Sequence, residues 1–339
     1  MMVVTLSDIA HAAGVTKATV SMALRDKGRI SPETRSRIKQ LAREMKYRPN
    51  QIARCLTVGH SSFVGVVVAP VIFPMFNQVI QPIERRLQEA GYSMLLYSSA
   101  DTHEGQIVCM EQLLQHRVNG VIIISGSAFE DAAGCIDLIE AGVKLVVLNR
   151  AMPGLEVPQI VCDDYAITRK AVEYIVSLGH RRIAHLTMPT NSFSGRERTR
   201  GFNDAMNDAG IEVDPALVIE TGITYESGAE KMESLLNLPH HPTAVVTRHD
   251  SVAMGVISSI LAAGLSVPDD ISVIGNGDIL QGDVLKVPLT TLHHPMGRMT
   301  VAGVGKLIDL LEERPVEAKT EILDTELIVR SSCGPPKAE

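Results

Sequence analysis

Residues 14–24, GVTKATVSMAL, set Lys17, Ala18, Ser21 and Met22 on one face of a short helix. Those side-chain types suit the reading of double-stranded DNA. A lysine can donate to guanine O6 or N7, a methionine can offer apolar contact to a thymine methyl, and small neighbours permit close approach in the major groove. Thr16, Thr19 and Ser21 add short hydroxyls suited to phosphate oxygens, which set register rather than sequence. Other chemistry is thin. The run AGVGKL at 302–307 holds G-x-G-K without the spacing of a phosphate loop, inside an amphipathic stretch. His240–His241 and His293–His294 are adjacent pairs without metal-ligand spacing. No nucleophile, base and orienting group can be assembled, so neither an enzyme nor a cofactor or metal site is expected.

The helices that must hold this face can be read from their ends. Thr5 with Asp8 three residues on makes a capping-box start, and Gly14 closes that helix. Thr16 caps a second helix running to about Arg25. Ser31-Pro32-Glu33 opens a third, with Ile38, Leu41, Ala42 and Met45 at helical spacing and an end before Pro49. Two short helices joined by a tight turn must cross steeply, with Ile9, Ala13, Val20 and Leu24 turned inward: helix-turn-helix geometry. Charge agrees. Residues 1–58 hold eleven Lys or Arg against four acids, a net +7; the whole chain is −7, which leaves −14 on the remainder. A basic head on an acidic body points to a nucleic-acid-binding module joined to something else.

That something else is large. The chain has 339 residues, 45% of them hydrophobic, enough for two or three compact units. No run reaches the roughly 18 apolar residues that span a bilayer, and no signal-peptide pattern opens the sequence, so neither a membrane nor export is expected. Five scattered cysteines, without C-x-x-C spacing, fit a reducing cytoplasm. From Ser62 onward, apolar runs alternate with amphipathic stretches. FVGVVVAPV, YSMLLYSS, VNGVIIISG and VKLVVLNR predict buried parallel strands, and RRIAHLTMP, LVIETG, TAVVTRHD and ISVIGNGD repeat the series. The expected fold is a small all-α head plus an α/β body of two doubly wound parallel-sheet subdomains, facing each other across a cleft near the strands' carboxyl ends.

TLSDIAHAAGVTKATVSMAL, RISPETRSRIKQLAREMKYRPNQIARCL and the later blocks resemble the LacI/GalR family of bacterial transcription regulators, in the family's order and over nearly the whole chain. The resemblance implies a DNA-binding head at 1–48 and a hinge helix or linker at 49–60. It implies a periplasmic-binding-protein-like body at 61–331, with subdomains at about 61–160 plus 293–320 and 161–292 plus 321–331, and a tail at 332–339. Residues 50–58 would then order when two copies meet on an operator, with Leu56 wedged into the minor groove and Ala53 letting the paired hinges approach. The DNA-binding set so expected is Thr5, Leu6, Thr16, Lys17, Ala18, Thr19, Ser21, Met22, Arg25, Ser31, Thr34, Asn50, Ala53 and Leu56.

For the cleft, the resemblance implies a small-molecule effector, a sugar, a nucleoside-type metabolite or an anion. Arg198 in SGRERTRGF matches the family's ligand-clamping arginine. VIFPMFNQV has Phe73 where asparagine is usual and keeps Phe76; Asn149 precedes Arg150 at a strand end. His249 replaces an asparagine before a retained Asp250, and Gly277 replaces an aspartate. With Ile223 these make the expected effector-binding set: Phe73, Phe76, Asn149, Arg198, Ile223, His249, Asp250 and Gly277. The departures make the cleft poorer in acceptors and richer in aromatic or cationic groups, which favours an anionic or less hydroxylated effector. TEILDTELIVRSS resembles the family's final strand pair. The absence of a leucine-heptad tail leads us to expect a homodimer on a palindromic operator, acting as an effector-controlled repressor. Rival readings are a regulator without effector control and an α/β enzyme fused to a DNA-binding head.

Overall fold

The computed structural model describes residues 4–24, 26–47, 61–69, 77–100, 102–124, 132, 134–279 and 286–337. Contacts divide the chain into two units, residues 1–61 and 62–339.

In the first unit, local signals act as read. Thr5 and Asp8 form both halves of a capping box, the Thr5 backbone N–H donating to Asp8 at 2.8 Å, and helix α1 spans Leu6–Ala13. Gly14 closes it at φ +63°, a left-handed conformation that suits glycine. Thr16 accepts from the Thr19 backbone at 3.2 Å and opens α2, Lys17–Leu24. Ser31 accepts from the Thr34 backbone, with Pro32 at the first position of α3, Pro32–Glu44. Ile9, Ala10, Ala13, Val20, Ala23, Ile38 and Ala42 form the core of this unit, with Leu24 partly buried against it. The Arg37 guanidinium donates to the Ala13 carbonyl and ties α3 to the end of α1.

The second unit holds two six-stranded sheets. In chain order the strands are β1 Phe63–Val68, β2 Ser93–Ser98, β3 Gly120–Ile124, β4 Lys144–Asn149, β5 Gln159–Cys162, β6 Ile183–Thr187, β7 Val218–Glu220, β8 Ala244–Thr247, β9 Ser272–Gly277, β10 Thr290–His293, β11 Thr320–Leu323 and β12 Glu326–Ile328. The first sheet runs β11-β5-β4-β3-β1-β2 and the second β12-β10-β9-β8-β6-β7. Among the described residues every pairing is parallel except β10 with β12. The central strands are buried along almost their whole length, as near-continuous Val/Ile runs require when helices cover both faces.

The chain passes between the sheets three times: from β5 through Asp163 into helix Asp164–Ser177, from β10 through His294–Pro295 into helix Met296–Leu311, and from β11 to β12. The final strands are not a pair. β11 extends the first sheet beside β5, while β12 joins β10 in the second, so residues 321–323 belong with the first subdomain rather than the second. Lys170 fixes this parting, its ammonium donating to Asp324 at 2.9 Å and to the Thr325 carbonyl. The expected tail at 332–339 is docked through residue 337. Ser332 accepts from the Thr290 N–H and donates to the Val273 carbonyl, and the Gly334 N–H donates to Ser272.

Candidate nucleic-acid interface and ligand site

On α2 the residues expected to read bases stand outward. Lys17, Ala18 and Met22 are exposed, while Val20 and Ala23 on the opposite face are buried. Met22 also leans on the loop that follows: its Sδ lies 2.9 Å from where a side chain at Gly28 would begin. Thr16 and Thr19 join hydroxyls at 2.9 Å, and Thr5, Ser31 and Thr34 serve as caps and cap partners. Leu6 is half-buried against the head's core. Asp26 accepts from Lys39 at 2.7 Å and Arg35 at 3.2 Å, holding two of the head's cations on one carboxylate. Arg25, Asn50, Ala53, Leu56, Phe73 and Phe76 lie outside the described residues.

In the body, the parallel strands end together, and buried polar side chains collect at their carboxyl ends. Asn149 ends β4 at φ +83°, its backbone N–H reaching Met299 Sδ at 3.0 Å. Arg198, from helix Phe193–Asp208, is 1% exposed. Its Nε donates to Asp164 Oδ1 at 2.6 Å and its Nη1 to the Arg248 carbonyl at 2.9 Å. Asp164 also faces Arg150, with 3.9 Å between Oδ2 and Nε. Burial would raise its pKa, but the guanidiniums of Arg198 and Arg150 outweigh this and hold it below the usual carboxylate range. Arg248, just beyond β8, donates to the Thr221 carbonyl at 2.6 Å. Ile223 is half-buried between β7 and helix Tyr225–Leu236.

His249 supplies the aromatic rather than the cationic part of the expected lining. It is not a cationic group: burial, then the neighbouring charges of Arg248, Arg150 and Arg198, push its pKa well below the ordinary 6.5, so the imidazole is neutral. The cationic character comes instead from Arg150 and Arg248 beside Arg198. Asp250 is committed to the framework, accepting from Thr291 at 2.6 Å and from the Ile279 N–H at 2.9 Å. Its burial raises its pKa to about 6. Gly277, at φ +132°, brings no acceptor. The next residue, Asp278, is held by His293 at 2.9 Å and Arg330 at 2.8 Å.

Asp164, Arg248, Asn276 and His294 were not among the expected site residues, yet all are buried at this end of the sheets. Asn276 was visible only as a departure within IGNGD, and an arginine inside TAVVTRHD, a run otherwise read as buried strand, was a signal for Arg248.

Residues 5–50 match the model described as "Bacterial regulatory proteins, lacI family", and residues 172–333 that of a "Periplasmic binding protein-like domain". The HTH-type transcriptional repressor CytR of Escherichia coli strain K12 is 30% identical over 328 residues, covering 97% of this chain and 96% of that protein. The HTH-type transcriptional regulator DegA of Bacillus subtilis strain 168 is 31% identical, with 98% of each chain covered. The chain belongs to the lacI family. Among solved structures, the lac repressor dimer bound to operator and the anti-inducer ONPF superposes with a TM-score of 0.86 at 28% identity, over 98% of this chain and 100% of that one. The transcriptional regulator CelR in complex with cellobiose gives 0.72 at 29% identity, over 97% and 99%. These relatives are transcription regulators, not enzymes, and the lacI-family member described here is likewise a helix-turn-helix DNA-binding regulator with a periplasmic-binding-protein-like body.

Proposed function

We propose that this regulator is a cytoplasmic repressor that binds a palindromic operator as a homodimer and is governed by an anionic small molecule held in the body cleft. Lys17, Ala18, Ser21 and Met22 face the major groove, and the hinge at 49–60 with Ala53 and Leu56 meets its copy at the operator's centre. The lac repressor dimer on its operator supports the two-fold arrangement.

One observation carries the choice of effector. The side chains of Arg150, Arg198 and Arg248 are all buried at this end of the sheets, and Asp164 faces the first two, 3.9 Å from Arg150 Nε and 2.6 Å from Arg198 Nε. Arg198 Nη2 is buried with no hydrogen-bond partner among the described residues, and a guanidinium fork matches a carboxylate or phosphate. A thermal-shift screen of carboxylates, phosphate esters and neutral sugars tests this. Anions should raise the melting temperature more than sugars of equal size, with about 2.7 kcal/mol of added stability at a hundredfold excess over the dissociation constant. Strong stabilisation by neutral hexoses with none by anions would falsify the anionic reading. Sedimentation should show a dimer.

A second reading has its own observation. Asp164 already occupies Arg198 Nε, so an internal carboxylate could replace the ligand and leave a regulator without effector control. Operator affinity unchanged by every member of the screen would favour it.

A further inference from the structure

The carbonyl of Arg248 sits at the centre of a buried chain of hydrogen bonds. It accepts from Arg198 Nη1 at 2.9 Å and from Asn276 Nδ2 at 3.3 Å. A carbonyl can only accept, so it fixes the Asn276 amide with its nitrogen toward residue 248 and its oxygen toward His294. That oxygen lies 2.5 Å from His294 Nε2. It too can only accept, so Nε2 carries the ring proton and Nδ1 presents a lone pair. Burial, followed by the charge of Arg198, lowers the His294 pKa to about 3, which keeps the ring neutral.

The ends of this chain are unmet. Among the described residues, His294 Nδ1, an acceptor, and Arg198 Nη2, a donor, are both buried without a hydrogen-bond partner, on side chains 5% and 1% exposed. The Thr221 hydroxyl, beside the Arg248 guanidinium, is unmet as well. Buried polar groups left unpaired are costly, so a ligand that supplies the complements is selected over one that does not.

We infer that His294 is a specificity-determining residue: its Nδ1 accepts a hydrogen bond from an O–H of an effector whose anionic oxygen sits on Arg198 Nη2. The ligand class is a hydroxylated carboxylate. This assignment rests on the reading of the cleft as an anion site. It adds a requirement that anion binding alone does not impose, namely a donor next to the acidic group.

The test compares D-gluconate, D-galacturonate and glycerate with hexanoate, tetrahydropyran-2-carboxylate and propionate, and with neutral galactose and glucitol, on the full chain. Binding is measured by calorimetry for wild type, His294→Phe and His294→Gln. In wild type the hydroxylated acids should bind about tenfold better than their deoxy counterparts. That advantage should fall to about one in His294→Phe. It should return in His294→Gln, whose amide can hold Asn276 and still accept. Nitrogen-15 spectra of wild type give a readout independent of any variant's folding, since the Nδ1 signal should move with the hydroxylated acid and not with its deoxy partner. Equal discrimination by wild type and His294→Phe, or an unmoved Nδ1 signal, overturns the assignment and leaves that lone pair to a buried water. Binding of neutral polyols without carboxylates overturns the anionic reading instead, and His294 is then judged on galactose against its deoxy forms. No binding by any compound overturns both.

Discussion

Asp164 sets the charge balance of the cleft. It is the carboxylate shared by Arg198 and Arg150, and its own first residue of helix keeps it where the chain passes between subdomains. Removing one partner of a buried ion pair leaves the other charge uncompensated, at a cost of about 3–5 kcal/mol. Asp164→Ala should therefore lower urea-unfolding stability by that order, and added sulfate should restore part of it. A loss below 1 kcal/mol, or indifference to sulfate, would contradict the charge balance described. At the other end of the chain, Lys17→Ala should weaken specific operator binding by about 1–3 kcal/mol while changing non-specific binding less. Gel-shift titrations against specific and scrambled duplexes measure both. Lys17 and Arg198 were legible as residues, one from the spacing on α2 and the other from its block. Arg248 was signalled only as an arginine inside the apolar run TAVVTRHD, and Asp164 and His294 not at all, because nothing near them in sequence states that they are buried or whom they face.

Local signals located elements better than they located partners. Caps at Thr5, Thr16 and Ser31 act within three residues, so the first unit's helices could be placed from the sequence alone. The same holds for the Val/Ile runs of β1, β3 and β4. The short strand Gln159–Cys162 escaped notice, being four residues between loops. The parting of Thr320–Leu323 from Glu326–Ile328 escaped too, since their partners β5 and β10 lie far away in sequence. A similar long-range constraint makes a prediction at Gly275 in β9. A Cβ there would stand 2.1 Å from Asp250 Oδ1, and Asp250 is anchored to Thr291 and Ile279. Gly275→Ala should cost about 1–3 kcal/mol by overpacking. Thermal unfolding would check it, with Gly297→Ala, where a Cβ meets nothing within 4 Å, as the reference.

The molecule as a whole should respond to acid. Burial lowers the pKa of His185 and His294 from 6.5 to about 3, and lowers that of His249 in the same direction. The unfolded chain takes up these protons first, so the stability they contribute is complete above pH 6.5 and declines toward pH 3. The decline is about 1.4 kcal/mol per pH unit for each residue. Asp250 opposes them. Its folded pKa of about 6 lies above the ordinary 3.8, so its contribution is present below 3.8 and lost as pH rises through 6. With His180, whose burial also lowers its pKa, four groups of one sign outweigh one of the other. The urea midpoint should fall between pH 7 and pH 5, and His185→Leu should flatten the slope. His185 is the clean choice because it stacks on Phe202 at 4.8 Å, on β6. A midpoint that rises on acidification would refute the balance.

The threefold passage of the backbone between the sheets has a further result. A protease that clips the polypeptide at Asp324–Thr325 severs one tether and leaves the two that follow β5 and β10. The halves of such nicked protein stay covalently coupled, so a signal arising in the crevice still has an unbroken route through both lobes.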